Sequence, residues 1–557
     1  MSQRASDRVC PTQCLCAMCF TMNAGTAEQV LIVGAGPAGM VLANELARRQ
    51  VPCRLIDKNK QPIETSRSFT LHARTMEMFE HMGIAHTFLD DSIPSNGFYF
   101  SFIGKDEHPT LDFRGLASRY PYVLVYNQND TERRLREHLD ATYDIRPEWG
   151  TELKALGFAD GQFTVELTRR DGNSETAHPH WVVGCDGIHS FVRKAMGLEF
   201  EGENYEGMVM QMMDVRYEGF PGGDDWVHYY MAKENFLLVT KLPSGNHRVL
   251  ISDMGEADDD DLSPRESFQR MIDGHIQGSS LAEPVWATKW TIWKRLATDY
   301  RNGQALLAGD AAHVHSPSGG QGMNIGMQDA FNLGWKLAMV IRGEAKQELL
   351  DSYGLERQPI GAQAIAGTDA MHDIIMAHGH GLDDRLQLTK QAGWHDEAVN
   401  RISGLSYTYR DVVDLPPGLG SLDGLPPGDR APDVRLSGHT RLFDVLRHPR
   451  FTLLLIPNNN KLDSDLSRQI LERLDRHYPS IIKAVVIGEA AIKGLQTECC
   501  FQDDSGEFAT VYGDLDAGHM YLIRPDGYIG LHALLDGAGL LFEYLQGLFI
   551  SAGGEQT

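Results

Sequence analysis

Three stretches of this chain set glycines beside a carboxylate, a combination that lets backbone amides approach a phosphate while the acid accepts hydrogen bonds from sugar hydroxyls. The first is Gly34-Ala35-Gly36-Pro37-Ala38-Gly39, followed by a second apolar run that ends at Asp57. The second is Gly184-Cys185-Asp186-Gly187, and the third, within Arg301 to Leu337, carries Gly309-Asp310 and then Pro317, Gly319, Gly320 and Gly322. Glycine is needed there because a side chain would block either the backbone turn or the ligand's approach. A helix start behind such a loop attracts electron-rich groups, since its first amides lack intrahelical acceptors.

The elements that must hold these loops are legible around them. Val30 to Val33 reads as a buried strand, the next stretch through Arg49 as an amphipathic helix, and Cys53 to Ile56 as a second strand ending at Asp57. Strand, glycine turn, helix, strand and acid in that order form a dinucleotide-binding unit, with Gly34, Gly36 and Gly39 at the pyrophosphate and Asp57 at a ribose. Trp181 to Arg193 runs from an apolar strand through Asp186 into a turn that Ser190 is placed to cap. Ala305 to Ala308 is a further strand; beyond the loop, Ala330, Leu333, Leu337 and Val340 recur at helical spacing, Asp329, Asn332 and Lys336 take another face, and Gly343 is a C-terminal stop.

With 557 residues the chain is too long for one core, and a net charge of -25 argues against a nucleic-acid partner. No apolar run reaches the roughly 20 residues that span a bilayer, so no transmembrane segment is expected and a cytoplasmic protein is. Eight cysteines are too few for a disulfide scaffold. Cys10, Cys14, Cys16 and Cys19 do not form two paired C-x-x-C units as a zinc site would, so no metal is expected. Residues 1–27 read as a disordered extension, with Met22 an alternative start.

Between Tyr205 and Tyr300 the texture changes to alternating strands, at Trp226 to Met231, Phe236 to Lys241 and Arg248 to Ile251. Ser263-Pro264-Arg265-Glu266 opens a helix with a capping box, after the acidic run Asp258 to Asp261. Two Pro-Pro-Gly triplets between Val413 and Val434 mark a boundary, beyond which strands and helices alternate again. The expected organisation is an extension at 1–27, a cofactor-binding domain at 28–204 and 299–412, an inserted β-sheet substrate domain at 205–298, a linker at 413–433 and a separate α/β domain at 434–557.

Taken together, GAGPAGM, GCDGIHSFVR and AGDAAHVHSPSGGQGMNIGMQDAFNLGWKL resemble the three fingerprints of the group A flavin-dependent aromatic hydroxylases, from about Glu28 to Arg357. The resemblance implies an α/β fold: a Rossmann-like FAD-binding domain, an inserted antiparallel-sheet substrate domain, and a C-terminal thioredoxin-like domain. That last domain lacks the redox cysteines, because Cys499 and Cys500 are adjacent, and it serves subunit contacts in relatives, so a homodimer or higher homo-oligomer is expected. Carried over by position, Arg67, Gln128, Asp186, Gly309, Asp310, Pro317, Gly320, Gly322, Met323 and Asn324 join Gly34, Gly36, Gly39 and Asp57 as FAD-binding residues.

The chemistry so implied uses FAD, NAD(P)H and O2: the nicotinamide reduces FAD, O2 adds at flavin C4a, and the resulting hydroperoxide hydroxylates a small phenolic ring. Pro317 matches the proline whose carbonyl faces the substrate hydroxyl in relatives. Assistance to substrate deprotonation is left among His72, His228, Tyr230, His313 and His315. The phenol hydroxylases' own acid is replaced by Phe69, and Met210, Met212, Met213, Trp226 and Tyr230 suit a soft aromatic pocket. Two alternatives stand beside this reading: oxygenation of a larger polycyclic or antibiotic substrate, and a flavin-binding protein without turnover.

Overall fold

The computed structural model describes residues 29–551, apart from 66, 234, 254–262, 376–380, 414–421, 423, 458–460, 489–499 and 514–517. The extension with its four cysteines, the acidic run Asp258 to Asp261, the first Pro-Pro-Gly triplet and Cys499 lie outside the described residues. A six-stranded sheet runs in the order Arg301–Asn302, Ala305–Leu307, Trp181–Gly184, Val30–Val33, Cys53–Asp57, Glu148–Trp149. Its central strands are parallel, with Val30 level with both Trp181 and Cys53. Every residue of Val30–Val33 is buried, as the near-continuous apolar run requires of a strand covered on both faces. The three glycine-acid stretches therefore leave the same end of neighbouring strands, which is where open α/β sheets bind ligands.

An eight-stranded sheet stands beside this frame, in the order His313–Val314, Trp286–Ala297, Phe200–Val215, His247–Asp253, Phe236–Lys241, Val227–Met231, Gly97–Phe102, Thr110–Asp112. Its strand set is wider than the inserted segment 205–298: two strands come from upstream of the insertion and a short one from the third loop itself. Val227–Met231 runs parallel to Gly97–Phe102, so the sheet is mixed rather than purely antiparallel. Parallel strands need a long crossover, and adjacent sequence gives no sign of that pairing. One face packs Phe98, Met210, Val227 and Tyr229 with Ile374, Leu386 and Ile402 of the helices Asp351–Ile375, Leu382–Leu388 and Trp394–Ser403. The other packs Met213, Tyr230 and Val239 against Phe268 and Ile272 of the helix Pro264–His275, whose start is the expected Ser263/Glu266 capping box.

A five-stranded sheet lies near the C-terminus, ordered Cys500–Phe501, Ile482–Ile487, Phe451–Ile456, His519–Ile523, Ile529–Leu534. The helices Lys461–His477 and Ala538–Leu548 accompany it. One of its faces packs directly on Trp335 and Met339 of the helix Gly322–Ile341. That helix begins in the third loop, and it is buried on every side from Asn324 to Met339. Asp329, Asn332 and Lys336 do lie off the apolar stripe, but they face protein rather than water.

Candidate active site

The glycines at the first loop divide by what their hydrogens face. A Cβ on Gly34 would come within 2.3 Å of the Cys185 carbonyl oxygen and one on Gly39 within 1.9 Å of the Gly34 carbonyl oxygen, so both are demanded by the protein itself. A Cβ on Gly36 would meet nothing within 4 Å, yet Gly36 lines a cavity of about 640 Å³. Gly187 lines that cavity too, with open space beside it, but its φ of 78° calls for glycine by itself. The space over Gly36 is one a side chain could occupy and a ligand needs empty, which is the fit an FAD pyrophosphate asks for. Asp57 closes the turn from outside the cavity: Oδ2 accepts from Ala35 N at 2.9 Å and Oδ1 from Asn59 N at 2.8 Å.

Gln128 reaches the cavity and donates from Nε2 to Glu132 at 2.9 Å. Burial pushes the Glu132 carboxyl up to about 7, with Asp57 adding to the rise against the Gln128 hydrogen bond. Asp186 lies off the cavity and is spent on its own helix. Its Oδ2 accepts from Phe191 N at 2.7 Å and Val192 N at 3.2 Å, and Ser190 donates to Oδ1 at 2.5 Å. The helix so capped aims Arg193 at the Ala311 carbonyl, 2.8 Å away, bracing the third loop from beneath.

That third loop is held by an unusual convergence on one carbonyl. The Gly320 oxygen accepts from Asn324 Nδ2 at 3.0 Å, His72 Nε2 at 3.2 Å and Thr70 Oγ1 at 3.3 Å. His72 Nε2 also meets the Gly319 carbonyl at 2.9 Å, and carbonyls only accept, so the proton sits on Nε2. Burial pushes the His72 ring down to about 4, which keeps it neutral. His72 and Asn324 lie behind the loop rather than in the cavity. Gly309, Asp310, Pro317, Gly320, Gly322 and Met323 line it. The Pro317 carbonyl accepts from Gly320 N at 2.9 Å, which uses that amide and leaves the first-turn amides of Gly322 and Met323 to face a ligand.

Asp310 lines the cavity with its side chain open to it, and the surrounding protein raises its carboxyl while His313 and Arg67 pull it back down. Behind it lies Asp329, which accepts from Gly309 N at 3.2 Å, His313 Nε2 at 2.8 Å and Arg357 Nε at 2.8 Å. Burial alone would raise this carboxyl, but Arg357 and His313 outweigh it and hold Asp329 below the usual range. Arg67 lines the cavity with its guanidinium 5.1 Å from the Trp290 ring centre.

Beyond the loop the cavity wall turns aromatic, with Phe69, Phe98, Tyr229, Phe236, Trp286 and Trp290. His228 and Tyr230 are on the wrong face for it. Side chains alternate along Val227–Met231, so Val227 and Tyr229 point inward, His228 Nε2 turns away to the Gly223 carbonyl at 2.9 Å, and Tyr230 enters the opposite core. Met213 goes with Tyr230, while Met210 lines the wall. Tyr229 is 5% exposed, and its hydroxyl has no hydrogen-bond partner among the described residues. Period-two alternation was the signal for it, but Tyr229-Tyr230 fits either phase. Asp329 left a trace as an acid in an apolar helix; Arg357 left none.

The sheet switch point, the glycine cradle and the continuous cavity define a dinucleotide-binding flavoprotein site. Residues 27–368 match the family model described as an FAD binding domain, and the chain belongs to that family. It is 48% identical over 526 residues to pentachlorophenol 4-monooxygenase of Sphingobium chlorophenolicum, covering 94% of this chain and 96% of that one. It is 32% identical to 6-methylpretetramide 4-monooxygenase of Streptomyces rimosus, covering 94% of each. Among solved structures, the anhydrotetracycline hydroxylase from Streptomyces rimosus superposes with a TM-score of 0.74 at 27% identity, over 94% of this chain and 99% of that one. The resemblance to flavin-dependent aromatic hydroxylases is thereby borne out. Among the described residues no helix is long and apolar enough to cross a membrane.

Proposed function

We propose that this protein hydroxylates a single-ring phenol, using FAD, NAD(P)H and O2. The observation that carries the reading is one cavity, continuous from the empty space over Gly36 to the unpartnered hydroxyl of Tyr229. The relative at 48% identity is named for a one-ring phenol. In this reading the cavity's 640 Å³ holds both the ring end of the cofactor and the substrate ring.

Gly36 and the amides of Gly322 and Met323 would hold FAD, with Asp310 accepting from its sugar-like hydroxyls and Gln128 and Arg67 beside it. Bound there, FAD supplies acceptance of two electrons from the nicotinamide and activation of O2 toward an electron-rich ring. The chain's own contributions are positioning and exclusion of water. Burial raises the Tyr229 hydroxyl far above its ordinary range, so it stays protonated and serves as a donor to the phenol or phenolate oxygen. The Pro317 carbonyl, on the loop side, is the acceptor we assign to the same substrate hydroxyl. The aromatic wall then sets the ring against the loop. The C-terminal sheet has a structural role in this reading, and we assign the active form as a homo-oligomer.

The test is substrate-stimulated NAD(P)H oxidation by the FAD-loaded protein across a panel of one-ring phenols, with product analysis. Hydroxylated phenol in proportion to NAD(P)H consumed is expected. Stimulation by polycyclic substrates alone, or by none, would overturn the proposal.

A further inference from the structure

A second crevice, of about 250 Å³, shares no lining residue with the cavity at the glycine loops. It lies where the helices Pro37–Ala47 and Gly322–Ile341 both end, against Pro449, Arg450 and Ser480 of the C-terminal region. Arg48, Arg49, Arg342 and Arg450 line it, with Glu344 as the only acid among the lining residues. In a chain of net charge -25, four guanidinium groups around one small space are out of keeping with the rest of the surface.

Arginines at helix ends are ordinary, because they complement the negative end of the helix dipole. That accounts for part of what is seen. Arg48 Nη1 donates to Glu45 at 3.1 Å and to the His81 carbonyl at 3.0 Å, and Arg49 Nη1 shares the same Glu45 carboxylate. Arg342 donates to Glu344 at 2.9 Å and to the Arg49 carbonyl at 2.9 Å, and Arg450 to the Pro479 carbonyl at 3.4 Å.

It does not account for the remainder. Nη2 of Arg48, and both Nε and Nη2 of Arg49, have no acceptor among the described residues and are closed to solvent, so they act on the crevice through their charge rather than by a direct bond. Arg49 is 5% exposed, and burial lowers it to about 10 despite Glu45 beside it. One carboxylate divided between Arg48 and the buried Arg49 leaves positive charge in excess beside the crevice. The excess is felt by neighbours. Burial depresses the His448 ring to about 3, and Lys483, Arg450, Arg48 and Arg49 push in the same direction. Gln50, on the rim, is one of the few non-glycine residues at positive φ, at 61°.

We propose that this crevice is a binding site for a multivalent oxyanion, inorganic phosphate or the phosphoryl group of a small metabolite, held by Arg48, Arg49, Arg342 and Arg450. An oxyanion supplies several acceptors in one compact group, matching a cluster of forked donors as a single carboxylate does not. The bound anion bridges the ends of two helices that begin at the flavin loops and ties both to the C-terminal region.

The test uses FAD-loaded full-length protein, so that the pyrophosphate cradle is already filled. Inorganic phosphate is titrated calorimetrically in phosphate-free buffer, with sodium chloride matched for ionic strength as the control. Saturable one-site binding is expected, with at least a fivefold loss of affinity in Arg450→Gln. That side chain is half-exposed and has one long contact to a carbonyl, so the variant keeps its fold and its NAD(P)H oxidation. Glycerol phosphate is the second ligand: binding as tight as phosphate assigns the site to a phosphoryl group, and weaker binding assigns it to the free ion. Absence of saturable binding, or equal affinity in wild type and Arg450→Gln, would overturn the proposal.

Discussion

Arg357 Nε lies 2.8 Å from Asp329 Oδ1, and neither side chain reaches solvent. The pair joins two ends of the molecule. Through Asp329 it fixes the Gly309 amide and the His313 ring at the cavity of the glycine loops. Through Tyr409, whose hydroxyl accepts from Arg357 at 3.1 Å and Asn332 at 3.4 Å, it meets the C-terminal turn, where Asp526 accepts from Asn332 at 3.2 Å and Trp335 at 3.1 Å. Arg524 completes the turn with a two-pronged bond to Glu356 at 2.7 and 2.8 Å.

Breaking such a pair from one side leaves a buried charge alone. Asp329→Ala and Arg357→Ala should each cost about 3 to 5 kcal/mol, measured by chemical denaturation. The double change Asp329→Leu with Arg357→Met should cost clearly less than their sum, because no charge is stranded. Additive losses would show that the two side chains do not work as a pair.

The strand phase can be tested at neighbouring tyrosines. Tyr229→Phe removes a hydroxyl that contacts only the cavity, so stability should hold while kcat/KM for the best phenol falls roughly tenfold or more. Tyr230→Phe lies in the opposite core and should leave kcat/KM unchanged. The reverse ranking in steady-state kinetics would reject Tyr229 as the substrate's donor.

Two glycines should separate ligand demand from protein demand. A methyl at Gly36 meets nothing within 4 Å, so Gly36→Ala should fold with a loss under about 0.5 kcal/mol and yet fail to hold FAD. Gly320 has φ +65° and an added Cβ would sit 2.3 Å from Thr70 Oγ1, so Gly320→Ala should cost about 1 to 3 kcal/mol with FAD absent. Flavin content by absorbance, beside apoprotein melting, decides this. Stoichiometric flavin in Gly36→Ala would contradict the cradle.

His72 gives the pH dependence a sign. Its pKa falls from an ordinary 6.5 to about 4 on folding, so the unfolded chain binds the extra proton first. The neutral ring's contribution is therefore complete above about 6.5 and is lost as pH drops toward 4, on the order of 3 kcal/mol in all. His448 and His532 shift the same way, so the measurement is the difference between wild type and His72→Gln. That difference should shrink on acidification, and parallel profiles would remove His72 from the account.

Much of this protein was legible from its residues, because its decisive motifs are contiguous. A strand, a glycine turn and a helix start are neighbours in the chain, so Val30 to Asp57 and Ala305 to Gly343 declare their geometry locally. The capping box at Ser263 is read for the same reason. Three such motifs in order also specify the family.

Tertiary structure decided what local patterns leave degenerate. His228-Tyr229-Tyr230 is apolar enough to satisfy a core in either phase, and a one-residue slip exchanges the faces, so only pairing with Gly97–Phe102 and Phe236–Lys241 placed Tyr229 inward. Asp186 could hold a cofactor or cap a helix; the observed capping bonds settle its side chain's present use. Asp329 and Asn332 look like the wet face of an amphipathic helix until Arg357, 28 residues away from Asp329, and Asp526, 194 from Asn332, close over them. A periodic pattern records which side of a helix is polar. Whether water or a buried counter-charge meets that side depends on residues far along the chain, and those are brought together by folding alone.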